Sequence, residues 1–305
     1  MRRKPTRLVF ALPSLALLLG TRPMGATDGV IEINNARALA GGVTPGDTPG
    51  YPVSINLPGS YRLTSNLDIT SINPPNTNAI EVNVDDVTID LAGFEILGPT
   101  SCGSGQPVTG CAPTGTGNGI TTTSMLGKKG LRVRNGTIRG MGANGLRGPS
   151  LVERVRVESN GSNGIDLNVS GEIVNPKVES CEVLQNGSVG ITVSPSSGAF
   201  IRSNTVSGNA SNGIVAVQAF IVDNVVNRNG GVGITTFPLG SALIRGNQIV
   251  SNTGLGLQMQ GTGTTIDAFG GNILESNNAA AVGTPQTSGG LAIDTNICKG
   301  TTTCP

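Results

Sequence analysis

Residues 201–215 read IRSNTVSGNASNGIV, and the same pattern returns at 221–235 as IVDNVVNRNGGVGIT and at 244–258 as IRGNQIVSNTGLGLQ. Each stretch carries an apolar residue at its first and sixth positions, Asn at its fourth and ninth, and a GI or GL pair near its end. Extended backward, the Gly of that pair falls at Gly119, Gly145, Gly164, Gly190, Gly213, Gly233 and Gly256. The gaps are 26, 19, 26, 23, 20 and 23 residues, averaging just under 23. Self-similarity at this period marks a solenoid, in which each repeat buries its apolar face only against its neighbours.

Aligning on the Gly yields three apolar columns. One reads Val133, Val152, Val178, Ile201, Ile221, Ile244; a second Ile138, Val157, Val183, Val206, Val226, Ile249; a third Leu146, Ile165, Ile191, Ile214, Ile234, Leu257. Residues one step away are polar, the period-two alternation of strands with one buried face. Three short strands per coil, stacked at about 4.8 Å, enclose a continuous core. Asn stands four residues before the last five Gly positions, at Asn160, Asn186, Asn209, Asn229 and Asn252. A second column runs Asn204, Asn224, Asn247, Asn272, with Cys181 in the same register. Asn suits such corners because its backbone tolerates the left-handed region and its amide can bond the next rung. Cys181 then reads as a small buried corner residue rather than a reactive thiol.

These columns, with strings such as IRSNTVSGN and IRGNQIVSN, resemble the right-handed parallel β-helix repeat family of the pectin-lyase-like superfamily. NAIEVNVDDVTIDLAGFEILGP (78–99) is similar to the opening coil of many secreted bacterial members, and INNARALAGGVTPGDTPGYP followed by PGSYRLTSNL to the N-terminal part of one secreted bacterial branch. The resemblance spans roughly residues 30–280 and implies an all-β, right-handed parallel β-helix. It implies little about activity, since the superfamily holds lyases, hydrolases, epimerases and adhesins. The Gly-His-Gly element of its polygalacturonases and the Asp-Pro-His motif of its uronan epimerases are both absent. The expected organisation is a signal peptide at 1–26, an N-terminal cap region at 27–70 with a short helix near Asn34–Ala40 ending at Gly41, the parallel β-helix at 71–278, and a C-terminal cap at 279–305.

Arg2, Arg3, Lys4 and Arg7, the apolar run Leu8–Leu19 and Ala26 compose the secretory signal. Of 20 basic and 19 acidic residues, residues 1–26 hold 5 basic and none acidic, so the mature chain carries 15 − 19 = −4. A secreted or periplasmic product is expected, with no membrane span in the mature chain. The mildly acidic balance argues against nucleic acid as a partner. With no His, every His-based catalyst is excluded, and with no Trp the best sugar-stacking side chain is missing. In an oxidising compartment Cys102 with Cys111 and Cys298 with Cys304 read as two local disulfides. No CxxC metal spacing occurs.

Length variation collects after the GI strand, at 167–176, 194–199, 216–219 and 236–242, and the Cys102–Cys111 insertion is assigned to the same edge. Insertions gathered on one edge mark a binding face. On the outer surface, Arg134 lies one coil from Glu153, Arg139 from Glu158, Arg147 from Asp166, Arg156 from Glu182, and Glu179 from Arg202. Such pairs read first as a solvated ladder. One like-charge contact interrupts it, Glu153 beside Glu179 in the column Arg134, Glu153, Glu179, Arg202. Two carboxylates about 5 Å apart can divide into an acid and a nucleophile or base, or share Ca²⁺. Arg156 nearby can bind a uronate carboxylate, or act as a base only with a strongly depressed pKa. Glu153, Glu179 and Arg156 are therefore the candidate catalytic residues, with Arg134, Arg202, Phe200 and Phe220 as candidate substrate-binding residues. Phe200 and Phe220 occupy equivalent positions in adjacent coils. They are expected to be satellite core covered by a loop; outward, they would form an apolar sugar platform.

Two functions follow. The favoured one is a non-catalytic β-helix that binds carbohydrate or a cell-envelope component, or serves as a scaffold. The alternative is a polysaccharide lyase or hydrolase. Carboxylates held by Arg on a flat face favour the first; a groove with both carboxylates buried favours the second.

Overall fold

The computed structural model describes residues 29–123, 128–168, 175–193, 198–261, 265–278, 284–299, 301 and 304; the expected signal segment lies outside them. Within them the chain winds as a parallel solenoid with three strand stacks. The first stack carries inward Ile89, Val133, Val152, Val178, Ile201, Ile221 and Ile244, in register coil by coil. The second carries Ile96, Ile138, Val157, Val183, Val206, Val226, Ile249 and Leu274. The third runs Val53, Ile80, Ile120, Leu146, Ile165, Ile191, Ile214, Ile234 and Leu257. All of these side chains are fully buried, each contributing about 1.5–3 kcal/mol by leaving water. Strands Arg132–Arg139 and Leu151–Glu158 run unbroken through the first and second stacks and join them into one sheet.

The solenoid takes in more of the chain than 71–278. Strand Ile31–Ile33 already pairs with Gly59–Leu63, which pairs with Val87–Asp90. At the other end Leu291–Ala292 and Ile297–Cys298 pair with the coil before them. Alternating apolar residues in both expected caps extend the columns, so these segments supply rungs. The helix Asn35–Ala40 sits where the sequence places it. Asn34 caps it by accepting from the Arg37 N–H, and Gly41 (φ 75°) ends it.

Both Asn columns form continuous amide ladders. Each Nδ2 donates to the Oδ1 of the next coil at 2.9 Å from Asn160 through Asn186, Asn209, Asn229 and Asn252 to Asn277, and Asn277 donates onward to Gln286. The second ladder runs from Asn204 through Asn224, Asn247 and Asn272 to Asn296. The left-handed residue at these corners is not Asn but the residue before it: Ser203, Asp223 and Gly246 in one ladder, Gln185, Gly208, Arg228 and Ser251 in the other. Asn is required for its amide alone.

Cys181 begins the second ladder, its N–H donating to Asn204 Oδ1. It is a buried free thiol, and burial pushes its pKa up to about 12. Iodoacetamide is expected to spare Cys181 in the native protein and to label one thiol after non-reducing denaturation, read by mass spectrometry; labelling under native conditions would show that this corner opens.

The disulfides Cys102–Cys111 and Cys298–Cys304 are both present. The first does not lie on the variable edge. Its hairpin, Ser101–Cys102 against Cys111–Ala112, leaves between the second and third stacks. There 120 − 96 = 24 residues separate Ile96 from Ile120, against 146 − 138 = 8 from Ile138 to Leu146. The insertion precedes Gly119, at the corner lined by the first Asn ladder, whereas the other length variation follows the GI strand. From its root the hairpin runs along that corner. The Val108 N–H donates to Gly208 O, and Gln106 Oε1 accepts from Arg228 Nη1 at 3.1 Å.

Candidate functional site

The candidate residues all stand on the outer surface of the first and second stacks, where alternation along each strand puts them opposite the buried columns. The register pairs Glu153 with Glu179 on adjacent coils, between Arg134 on one side and Arg202 on the other. Each carboxylate is held by an arginine: Glu153 by Arg154, its neighbour along the strand, and Glu179 by Arg202 at 3.1 Å. Arg156 bridges Glu158 and Glu182, both at 2.7 Å. The hydrogen bond to Glu158, then the charges of Glu158 and Glu182, raise its pKa against the opposing effect of burial. A base would need the opposite shift, so Arg156 is a fixed cation here.

Two expected ion pairs choose other partners. Arg134 turns to Asp90 at 3.2 Å and Arg139 to Glu95 at 3.2 Å, both on the preceding coil, instead of Glu153 and Glu158. Burial opposes ionisation of Asp90. Hydrogen bonds from Asn135 and the Ala92 N–H, with the charges of Arg134 and Arg62, outweigh it and hold the carboxyl below its ordinary value. On the third stack, burial raises the Asp166 carboxyl, opposed by the Asn168 N–H and by Arg147 one coil away. Among the described residues no group of three or more metal-ligating side chains assembles.

Phe200 and Phe220 are not satellite core. They are 37% and 42% exposed and stack on each other, centroids 4.9 Å apart and planes 13° from parallel. One face of each ring therefore lies on the other. The Lys177 ammonium stands 5.8 Å from the Phe200 centroid, on the preceding coil, and Leu243 follows Phe220 on the next. The pair is an exposed apolar ridge along the solenoid axis, flanked by Glu179 and Arg202. Its position was legible in the alignment, whereas its exposure depends on the path of the segments around it. Of the variable stretches, 169–174 and 194–197 lie outside the described residues.

The sequence matches the family described as a right-handed beta helix region over residues 60–220 and 118–279. A search of curated proteins finds no match. Among solved structures, the A-module of mannuronan C-5 epimerase AlgE4 from Azotobacter vinelandii is 14% identical, with 88% of this chain and 84% of that chain covered and a TM-score of 0.46. The periplasmic alginate epimerase AlgG is 13% identical, covering 79% of this chain and 69% of its own, at a TM-score of 0.46. The Dettilon tailspike protein is 14% identical, covering 80% and 59%, at 0.41.

Proposed function

The chain belongs to the right-handed β-helix family, and from that footing we propose that it binds a polysaccharide or another sugar-bearing envelope component along the outer face of its first two stacks, without chemical turnover. The observation that carries this reading is the exposed Phe200–Phe220 ridge set between charged columns. Apolar C–H faces of sugar rings can lie against the ridge while Lys177, Glu179 and Arg202 hydrogen-bond hydroxyl groups. Sugar sites are commonly built this way, with apolar area for affinity and a few polar groups for orientation.

The arginine contacts of Glu153 and Glu179 favour binding over catalysis, since a carboxylate acid/base pair works by holding two different protonation states. The two disulfides support an oxidising, secreted or periplasmic location. Among the described residues no helix is long and apolar enough to cross a membrane.

The test is affinity electrophoresis against acidic and neutral polysaccharides, with mass spectrometry of the same mixtures in the presence and absence of Ca²⁺. Retardation without new oligosaccharides is expected. Phe200→Ala/Phe220→Ala should weaken it about 10- to 100-fold, the loss of the area one buried aromatic contributes. Shortened or unsaturated products that vanish in Glu153→Gln or Glu179→Gln would replace this reading with a lyase or hydrolase.

A further inference from the structure

The geometry points to a second, separate binding site: a pocket for a single neutral sugar ring at the corner where the disulfide hairpin leaves the solenoid. This site shares no residue with the Phe200–Phe220 ridge. It is a depression of about 240 Å³. Thr70, Leu97, Arg139 and Glu158 line it from four successive coils, and Thr100–Cys102 of the hairpin form the opposite wall.

The wall is rigidly placed. A Cβ on Gly98 would stand 2.1 Å from Gly140 O, and one on Gly140 would stand 2.6 Å from Gly98 O and 2.9 Å from Thr100 O. Backbone therefore lies directly on backbone at the hairpin's root. The disulfide and the Thr100 hydroxyl, donating to Pro113 O, hold its two strands together, and the Val108 N–H ties its far end to Gly208 O. The pocket is a consequence of the 24-residue spacing between Ile96 and Ile120, for without the insertion there is no wall.

Its chemistry selects the ligand. Arg139 uses Nε and Nη2 on Glu95 Oε2, and Glu158 Oε2 accepts from Arg156. Glu95 neutralises Arg139, while Glu158 shares Arg156 with Glu182, so an anionic ligand would have to break a pair and meet surplus negative charge. Nη1 of Arg139 and Oε1 of Glu158 have no protein hydrogen bond among the described residues, and they offer a neutral ligand one donor and one acceptor without such a cost. Leu97, on the coil before Arg139, supplies an apolar surface beside this donor, and the Ser159 hydroxyl a group that can donate or accept. Hydroxyls that both donate and accept around an apolar ring face match this arrangement. The volume falls below the range of about 300–1,000 Å³ typical of drug-sized ligands, so it fits one ring and not a chain.

Saturation-transfer NMR and calorimetry on the purified protein, with glucose, galactose, mannose, N-acetylglucosamine and galacturonate as probes, test the proposal. At least one neutral sugar should bind at one site per chain, and galacturonate at least tenfold more weakly. Arg139→Met, which removes the donor, and Leu97→Trp, which fills the floor, should each cost tenfold or more in affinity. Cys102→Ser/Cys111→Ser should weaken binding by releasing the wall, while Phe200→Ala/Phe220→Ala leaves it unchanged. Absence of binding by every neutral sugar, equal binding of galacturonate, or affinity unmoved by both Arg139→Met and Leu97→Trp would overturn it. Loss of the signal in the phenylalanine variant would assign the sugar to the ridge and overturn the pocket while leaving the ridge reading intact.

Discussion

Gly213→Ala should destabilise the solenoid by more than about 3 kcal/mol. Gly213 does not sit in the left-handed region, so conformational freedom is not why glycine is there. A Cβ at this position would lie 2.5 Å from Val226 Cγ1, 2.6 Å from Gly233 O and 2.9 Å from Asn229 Nδ2. Two of these neighbours are held fast. Gly233 O accepts the Ile214 N–H of the strand ladder, and Asn229 belongs to the buried amide ladder. Val226 is stiff at χ1 and packed on the core axis. With no neighbour free to yield, the coil spacing itself must open, and in a solenoid that interrupts every column crossing the rung. Urea unfolding followed by circular dichroism should show a large fall in midpoint or no folded protein. Gly110→Ala is the control, since no atom lies within 4 Å of its added Cβ and its backbone is not left-handed. A Gly213→Ala midpoint equal to that of Gly110→Ala would remove the close-approach explanation.

Asn209→Ala is expected to lose about 3–5 kcal/mol, from broken satisfaction rather than from volume. Asn209 Oδ1 accepts from both the backbone N–H and the Nδ2 of Asn186, while its own Nδ2 donates to Val183 O and Asn229 Oδ1. Alanine leaves the Asn186 donors and the Val183 carbonyl facing a dry corner. A buried polar group without a partner costs more than the net gain from one made hydrogen bond. Asn227, on the outer face of the strand that leads into the same corner one coil on, supplies the comparison: its Oδ1 accepts from the half-buried Ser207 hydroxyl, and Asn227→Ala should cost well under half as much. The measurement is again the urea midpoint. Similar losses for the two variants would mean that the ladder contributes no more than surface hydrogen bonding.

Much of this architecture is legible in one dimension because a solenoid translates register into sequence spacing. Val133, Val152 and Val178 stack in space because they are equivalent in the repeat, and the pairing of Glu153 with Glu179 follows from the same count. The ion pairs were less legible. Arg134 has a carboxylate on the coil before it, Asp90, and another on the coil after, Glu153, and spacing weighs them equally. The choice of Asp90 rests on where Asn135 and the Ala92 N–H converge, a property of the folded corner. The site on the hairpin was hidden more completely. Thr70, Leu97, Arg139 and Glu158 share no motif and come together only through the stacking of four coils.

The amino-acid sequence by itself determined the coil, its three strands, the buried columns and the two Asn ladders, because each depends on a local alternation repeated at a nearly constant period. Only the tertiary structure decided that Phe200 and Phe220 stay exposed, that the left-handed turn at corners such as Ser203–Asn204 and Arg228–Asn229 falls on the residue before the Asn, and that the Cys102–Cys111 hairpin lies along the Asn corner. Those features depend on which surfaces a segment happens to cover and on how closely neighbouring coils approach. Neither quantity is carried by the residues at the position concerned; both arise only once the coils are stacked.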